Sequence, residues 1–419
     1  MKGGSGDHPA RPPGMALYLS TPGAQLVTPR WQMWFHSAPV VFLLVLLAVV
    51  VCSGSASAGP PGATVVLSGR SGFEGSLARG VRWSEGGSSP GWELDHEGLA
   101  RGEGQLTTAV IELPLPVVEV VASWNAFTPP GAKLRIELRA SAREDLWTPW
   151  FSMAVWPNGQ GTPGLRKHLS GRVNEDTLVL TEPARRFQLR VTLYPNENGH
   201  SPRLRLLALA GSTPLRQPPP EQLATVAFTD GETSRPPAWG KSLPVPFRSQ
   251  RWEDPSISGR ICGPTSLAMI LEYYGQSLPT ERVAALAYDR LNGIYGNWPF
   301  LAAVAAEAGL ESYVTRFTDW SGIEAEILAG HPAILSVRFG PGELPGAPIS
   351  ASSGHLLVVA GFTETGDVLV NDPAAWTEET GRIVYDRRAL LSAWANGVAI
   401  LVHGPSPADR SATGLPDTP

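Results

Sequence analysis

From Lys133 to Arg139 the chain alternates strictly. Leu134, Ile136 and Leu138 fall on one side, and Lys133, Arg135, Glu137 and Arg139 on the other. Phe187, Leu189, Val191 and Leu193 repeat the pattern against Arg186, Gln188, Arg190 and Thr192. A two-residue period suits a strand with one wet face and is of no use to a helix. Further strands are predicted at Val117–Trp124, Trp147–Trp156, Thr177–Leu180 and Arg203–Ala210. Turn-rich stretches such as Thr128-Pro129-Pro130-Gly131 and Asn196-Glu197-Asn198-Gly199 separate them. No long helical period intervenes, so residues 63–212 are expected to form an all-β sandwich, of which a jelly roll is one form.

Past this region the texture changes twice. Residues 213–243 lose apolar periodicity and carry Pro218-Pro219-Pro220 and Pro236-Pro237, which reads as a linker. From 244 to 405 helical and strand patterns mix. Helices are expected at Cys262–Tyr274, Thr280–Asn292, Trp298–Ala308 and Trp320–Ala329. Strands are expected at Ala333–Phe339, His355–Phe362, Asp367–Val370 and Val398–His403. Residues 406–419 are a polar, proline-containing tail, expected to be disordered. No internal repeat is visible.

Val40 to Val51 runs twelve apolar residues without a break, and Ala56-Ser57-Ala58 follows. Twelve is short for a bilayer span and fits the core of a signal peptide, with a small-x-small cleavage site behind it. Residues 1–58 are therefore expected to be an export signal, the protein to be secreted or held at the cell surface, and the signal to be its one membrane contact. The 419 residues carry 33 basic and 38 acidic side chains, a formal charge of −5, which argues against a nucleic-acid partner. Two cysteines exclude a disulfide scaffold and a thiolate-rich zinc site. No metal-ligand cluster or glycine-rich phosphate loop stands out, so no cofactor is expected. Cys52 lies in the leader, which leaves Cys262 alone in the mature chain. An exported, unpaired thiol is either buried and inert or put to use.

Cys262 precedes Gly263-Pro264-Thr265-Ser266 and then Leu267, Ile270, Leu271 and Tyr274 at helical spacing. Pro264 is tolerated in a first helical turn, where its missing N–H would be unpaired anyway. A thiol at a helix N-terminus meets the positive end of the dipole and exposed N–H groups, which favour thiolate. Such a nucleophile needs a base. The mature chain offers His96, His168, His200, His331, His355 and His403. His355 opens the apolar strand Leu356-Leu357-Val358-Val359-Ala360, where a strand would hold it rigidly; otherwise it faces water at a strand end. An imidazole base needs an acceptor on its other nitrogen, and Asp372 ends the next strand. A turn at Thr363-Glu364 sets Asp372 across from His355. A turn at Thr365-Gly366 leaves them about three residues, roughly 10 Å, out of register. Gln250, twelve residues before Cys262, has an amide N–H₂ that can stabilise an oxyanion, or is an ordinary loop residue.

Together these residues resemble the papain-like cysteine peptidases, and within them the bacteriocin-processing, double-glycine peptidase group (family thirty-nine of the cysteine peptidases) and its stand-alone secreted relatives. The matching pieces occur in order over 244–403. They are Val245-Pro246-Phe247 with Gln250, CGPTSLAMILEYYG from Cys262, YGNWPF from Tyr295, GHLLVVAGF from Gly354 and VNDPA from Val370. The resemblance implies an α+β papain-like domain after the β-sandwich, with Cys262 as nucleophile, His355 as base and acid, Asp372 as its orienter and Gln250 as oxyanion donor. The best-known relatives are fused to transporters and cut leader peptides after paired glycines. This chain carries a β region instead, so leader processing does not carry over.

The expected activity is hydrolysis of peptide bonds through a thioester, with a peptide or protein substrate. Acyl transfer by the same residues, or a non-catalytic surface-binding role, is the alternative. Trp83, Trp92, Trp124, Trp147, Trp150 and Trp156 either present a surface for glycan or cell-wall contact or fill the core. Trp298 and Trp376 line a cleft or fill a core, and Gly340–Ser353 forms a rim to the site or an ordinary loop.

Overall fold

The computed structural model describes residues 62–86, 90–143, 146–157, 164–213 and 236–405. The expected signal at 1–58, most of the linker and the tail at 406–419 lie outside the described residues. The regular structure described between 62 and 213 is mostly strand, with short helices at Gly69–Gly72 and His96–Arg101. The long strand Thr177–Tyr194 pairs with Ile111–Phe127 over its first half and with Lys133–Arg143 over its second. A strand that changes partners along its length folds the sheet over on itself, and the alternating residues close the space between. Leu134, Ile136, Leu138, Phe187, Leu189, Val191 and Leu193 are all fully buried. The stretch Trp147–Trp156 is interrupted: Leu146–Trp147 and Phe151–Trp156 are separate strands around Pro149, since proline cannot donate to a ladder.

Residues 236–405 build a six-stranded antiparallel sheet. Its order is Glu311–Arg316, Trp394–His403, Ala333–Phe339, Ser352–Phe362, Val368–Asn371 and Arg382–Tyr385. Against it lie the helices Cys262–Tyr273 and Trp298–Glu307. The helix expected to run to Asn292 stops at Ala287. The Asp289 carboxylate accepts from the N–H groups of Leu291 and Asn292, a local turn that competes with helix. Residues 236–243, read as the end of a linker, are part of the fold. Ala238 and Leu243 are buried, Leu243 N donates to Ala360 O, and Ser242 bridges Gly361. This segment takes up the edge of Ser352–Phe362 beyond Val359, where the pairing with Ala333–Phe339 ends. A Cβ on Gly361 would come 2.2 Å from Lys241 O, so only glycine admits the strap.

The β region and the mixed region share a core. Trp124 and Trp156 meet Phe300 edge-to-face, with centroids 6.0 and 5.3 Å away. Around this apolar centre run polar ties. Ser312 N donates to Asn125 Oδ1 at 3.0 Å and Val314 N to Ser123 Oγ at 3.0 Å. Trp156 Nε1 and Thr128 N donate to the two oxygens of Glu307. Asp176, buried at the tip of the hairpin before Thr177–Tyr194, accepts from Trp298 N at 3.0 Å. None of the six tryptophans weighed as a stacking surface is exposed. Trp124 and Trp156 are in the core, Trp92 packs edgewise on Phe73 and Trp83, Trp83 lies tilted against Phe73, and Arg139 stacks on Trp147 and Trp150.

Burial raises the Asp176 carboxyl to about 6, against the Trp298 and Thr177 hydrogen bonds that pull it down. A carboxyl raised in the fold favours folding most when protonated, and that contribution is lost as pH rises through its folded value. Asp176→Asn should therefore raise the melting temperature at pH 8 and give no advantage at pH 4, as thermal melts at the two pH values will read. Gly361→Ala should lower the melting temperature at every pH and slow alkylation of Cys262, because the strap and the adjacent bulge cannot both keep their places.

Candidate active site

Cys262 is the first residue of its helix, and Thr265 N closes the first turn on Ile261 O at 2.9 Å. The helix is buried nearly all round, so its N-terminus is fixed by packing. Two residues of the CGPTS stretch bring it against the histidine strand. A Cβ on Gly263 would lie 2.8 Å from Leu356 Cδ1, so glycine allows the close approach. Ser266 Oγ donates to Leu356 O at 3.1 Å. Neither role was singled out from sequence, although the unbroken run of small and polar residues after Cys262 was the available signal.

His355 and Asp372 meet through a β-bulge. Phe362 pairs with Val368, and the turn between closes with Thr363 N on Asp367 O, centred on Thr365. Kept in that register, Asp372 would fall opposite Val358, on the face away from His355. The bulge between Val359 and Gly361 advances the pairing by one, so Asn371 faces Val358 and Asp372 follows opposite Leu357. Leu357 shares a face with His355, and the remaining offset of two residues, about 7 Å, is spanned by the imidazole. His355 Nε2 donates to Asp372 Oδ1 at 2.8 Å. Of the two registers weighed from sequence, the structure adopts neither: the turn falls near the later position, and the bulge recovers one residue.

Both side chains are inside: His355 is 3% exposed and Asp372 0%. Three donors share the carboxylate: His355 Nε2–H, Ala374 N–H to Oδ1 at 3.0 Å, and Tyr385 O–H to Oδ2 at 3.1 Å. Tyr385 carries no sequence signal, being one apolar residue of a short strand. Burial works to raise the Asp372 carboxyl, but His355 and these donors hold it below the usual carboxylate range. Burial likewise works against a charged His355, yet Asp372 and Cys262 raise it to about 10. The other imidazole nitrogen, Nδ1, is left for the thiol, whose ionisation is favoured by His355 and by the nearby backbone N–H groups of Leu356 and Gly263. Burial pushes the Cys262 thiol up, and these partners more than offset it, so it ionises below its ordinary value. A lowered thiol beside a raised imidazole favours the thiolate–imidazolium form of the pair.

Gln250 is buried in the turn Gln250–Trp252, and its backbone N–H donates at 2.9 Å to the carbonyl oxygen of Pro373, the residue after Asp372. Its side-chain Nε2 donates to Ser258 O at 2.6 Å, which sets which end of the amide is nitrogen. That bond uses one of two N–H groups and leaves the second. The other members of the histidine list lie elsewhere: His96, His168 and His200 are exposed in the β region, His331 Nδ1 meets the Tyr274 hydroxyl at 2.9 Å, and His403 pairs with Glu326. Trp298 is half-buried at the start of its helix, and Trp376 is exposed. The Gly340–Ser353 stretch is pinned by buried Leu344. Among the described residues no group of three or more His, Cys, Asp or Glu could hold a metal ion, and no helix is long and apolar enough to cross a membrane.

Cys262 should react with iodoacetamide well below the pH at which a free cysteine does. In His355→Ala the midpoint should rise above the free-thiol value, because burial is then unopposed. A variant midpoint equal to that of the wild type would show the pair to be unformed.

Residues 242–399 match the family described as "Peptidase_C39 like family", and residues 70–212 match "Peptidase C39 N-terminal domain". No curated protein matches the chain. Among solved structures, a C39-like peptidase from Bacillus anthracis is 20% identical over 40% of this chain and 98% of its own, with a TM-score of 0.31. A family-61 carbohydrate-binding module in complex with β-1,4-galactotriose is 11% identical over 33% of this chain and 86% of its own, with a TM-score of 0.17. A family-32 module in complex with 4,5-unsaturated mannuronic acid is 12% identical over 33% and 94%, with a TM-score of 0.17.

Proposed function

We propose that this chain, a member of the C39-like peptidases by its matches at 242–399 and 70–212, is an exported thiol peptidase with a papain-like catalytic domain. The observation that carries the reading is the buried His355–Asp372 pair at 2.8 Å, with the Cys262 thiol near enough to the same imidazole for each to shift the other's ionisation. In this reading the Cys262 thiolate attacks the carbonyl carbon of a peptide bond. The charge that develops on oxygen is met by the Cys262 backbone N–H, which has no acceptor within its helix, and by the second N–H of Gln250. His355 gives its Nδ1 proton to the leaving amine as the tetrahedral species collapses to a thioester. It then takes a proton from water, which attacks the thioester and returns the thiol. Asp372 holds the ring and stabilises its charged form throughout. The leader reading places this chemistry outside the cytoplasm, where a lone thiol is retained because it is used.

Cys262→Ala should abolish hydrolysis of a fluorogenic peptide library with the melting temperature unchanged, and full turnover in that variant overturns the proposal. Gln250→Ala should lower kcat by about 100-fold with little change in KM, the mark of a donor that acts in the transition state.

A further inference from the structure

Two exposed tryptophans lie on the loops that carry Gln250 and follow Asp372. Trp252 is 59% exposed and Trp376 is 68% exposed. Trp252 lies two residues after Gln250 and Trp376 four after Asp372, so their backbones are within about 7 and 14 Å of those residues. They are held, not loose. Their two loops are laced by Gln250 N on Pro373 O at 2.9 Å, Arg251 Nε on Ala374 O at 3.2 Å and Ser249 Oγ on Ala375 O. Trp252 Nε1 donates to Trp376 O at 2.8 Å, and its ring rests edge-on against Phe247, centroids 5.9 Å apart. The indole N–H of Trp252 is thereby spent within the protein, and the ring offers an apolar face. Phe247 is itself wedged against Gly381, where a Cβ would lie 2.1 Å from its ring, so the support cannot shift.

Resting on the peptidase reading, we propose that Trp252 and Trp376 form a substrate-selecting rim that takes a bulky apolar side chain, aromatic or branched, within two or three residues of the scissile bond. An extended peptide advances about 3.4 Å per residue, so two or three residues cover about 7–10 Å, the scale on which Trp252 is separated from Gln250. Large apolar side chains on rigid loops bind without an ordering cost, and indoles are among the strongest anchors in interfaces. A pair of glycines has no side chain with which to cover them. The rim therefore selects against the paired-glycine substrates of the transporter-fused relatives.

The test uses the full chain and two readouts. Binding to the Cys262→Ala protein is measured for two hexapeptides that differ only in carrying Phe or Gly beside the central bond, and hydrolysis of both is measured with intact Cys262. The Phe peptide should bind and be cleaved about tenfold better. Trp252→Ala/Trp376→Ala should remove that preference by weakening the Phe peptide alone, with the rate of Cys262 alkylation unchanged. A preference that survives the double variant overturns the rim, as does equal treatment of the two peptides by the parent. Tryptophan-dependent binding of cellohexaose in place of the Phe peptide also overturns it, and gives the rim to a glycan. Tryptophan-dependent binding of the Phe peptide without hydrolysis upholds the rim and removes the peptidase reading. Hydrolysis without preference does the reverse.

Discussion

A fully buried carboxylate sets the terms for the C-terminal half. Asp372 has no exposed surface, and a bare charge there would cost several kcal/mol in lost hydration. Three donors from three elements offset that cost: His355 on its strand, Ala374 in the following loop and Tyr385 on the next strand. The arrangement works in one geometry only. It needs the bulge that turns Asp372 to the histidine face, the glycine that admits the strap beside that bulge, and the strand Arg382–Tyr385 that brings in the hydroxyl. The ionisation of Cys262 is tied to the same carboxylate, since Asp372 favours a charged His355 and His355 favours a charged sulfur.

The β region contributes to the same end from outside. Asp176 meets the first N–H of the helix Trp298–Glu307, and Glu307 near its other end is tied to Trp156 and Thr128. Asn297, at the start of that helix, accepts from Phe300 N and donates to Asp289. Gly296 and Leu301 border the same Leu356 side chain that Gly263 abuts. A continuous packed path thus joins the β region to the thiol, and close-packed interiors transmit displacement rather than absorb it. Of the β region's tryptophans, Trp124 and Trp156 serve this packing, through Phe300 and Glu307.

Much of this was legible in the residues. Period two in 133–139 and 187–193 specifies strands because only a strand puts every second side chain on one face. The cysteine helix was legible from its apolar spacing and from a proline placed where a helix can bear one. His355 stood apart from five other histidines because an apolar strand followed it. The short strands Glu311–Arg316 and Arg382–Tyr385 and the helix Arg387–Ala393 were missed, for their residues show neither period over enough length. The helix drawn past Ala287 failed because Asp289 satisfies backbone N–H groups that a helix would otherwise have used.

By itself the sequence determined the long elements and brought Cys262, His355, Asp372 and Gln250 forward as candidates, since periodicity, caps and residue type act over a few neighbours. Only the tertiary structure decided that Asp372 reaches His355, that Tyr385 joins them, that Gln250 spends one N–H on Ser258, and that the β region is packed into the catalytic half. Those outcomes turn on a one-residue bulge, on a strap laid against Gly361 and on faces meeting across a shared core. Each depends on residues far apart in the chain, and no local pattern records the distance between them.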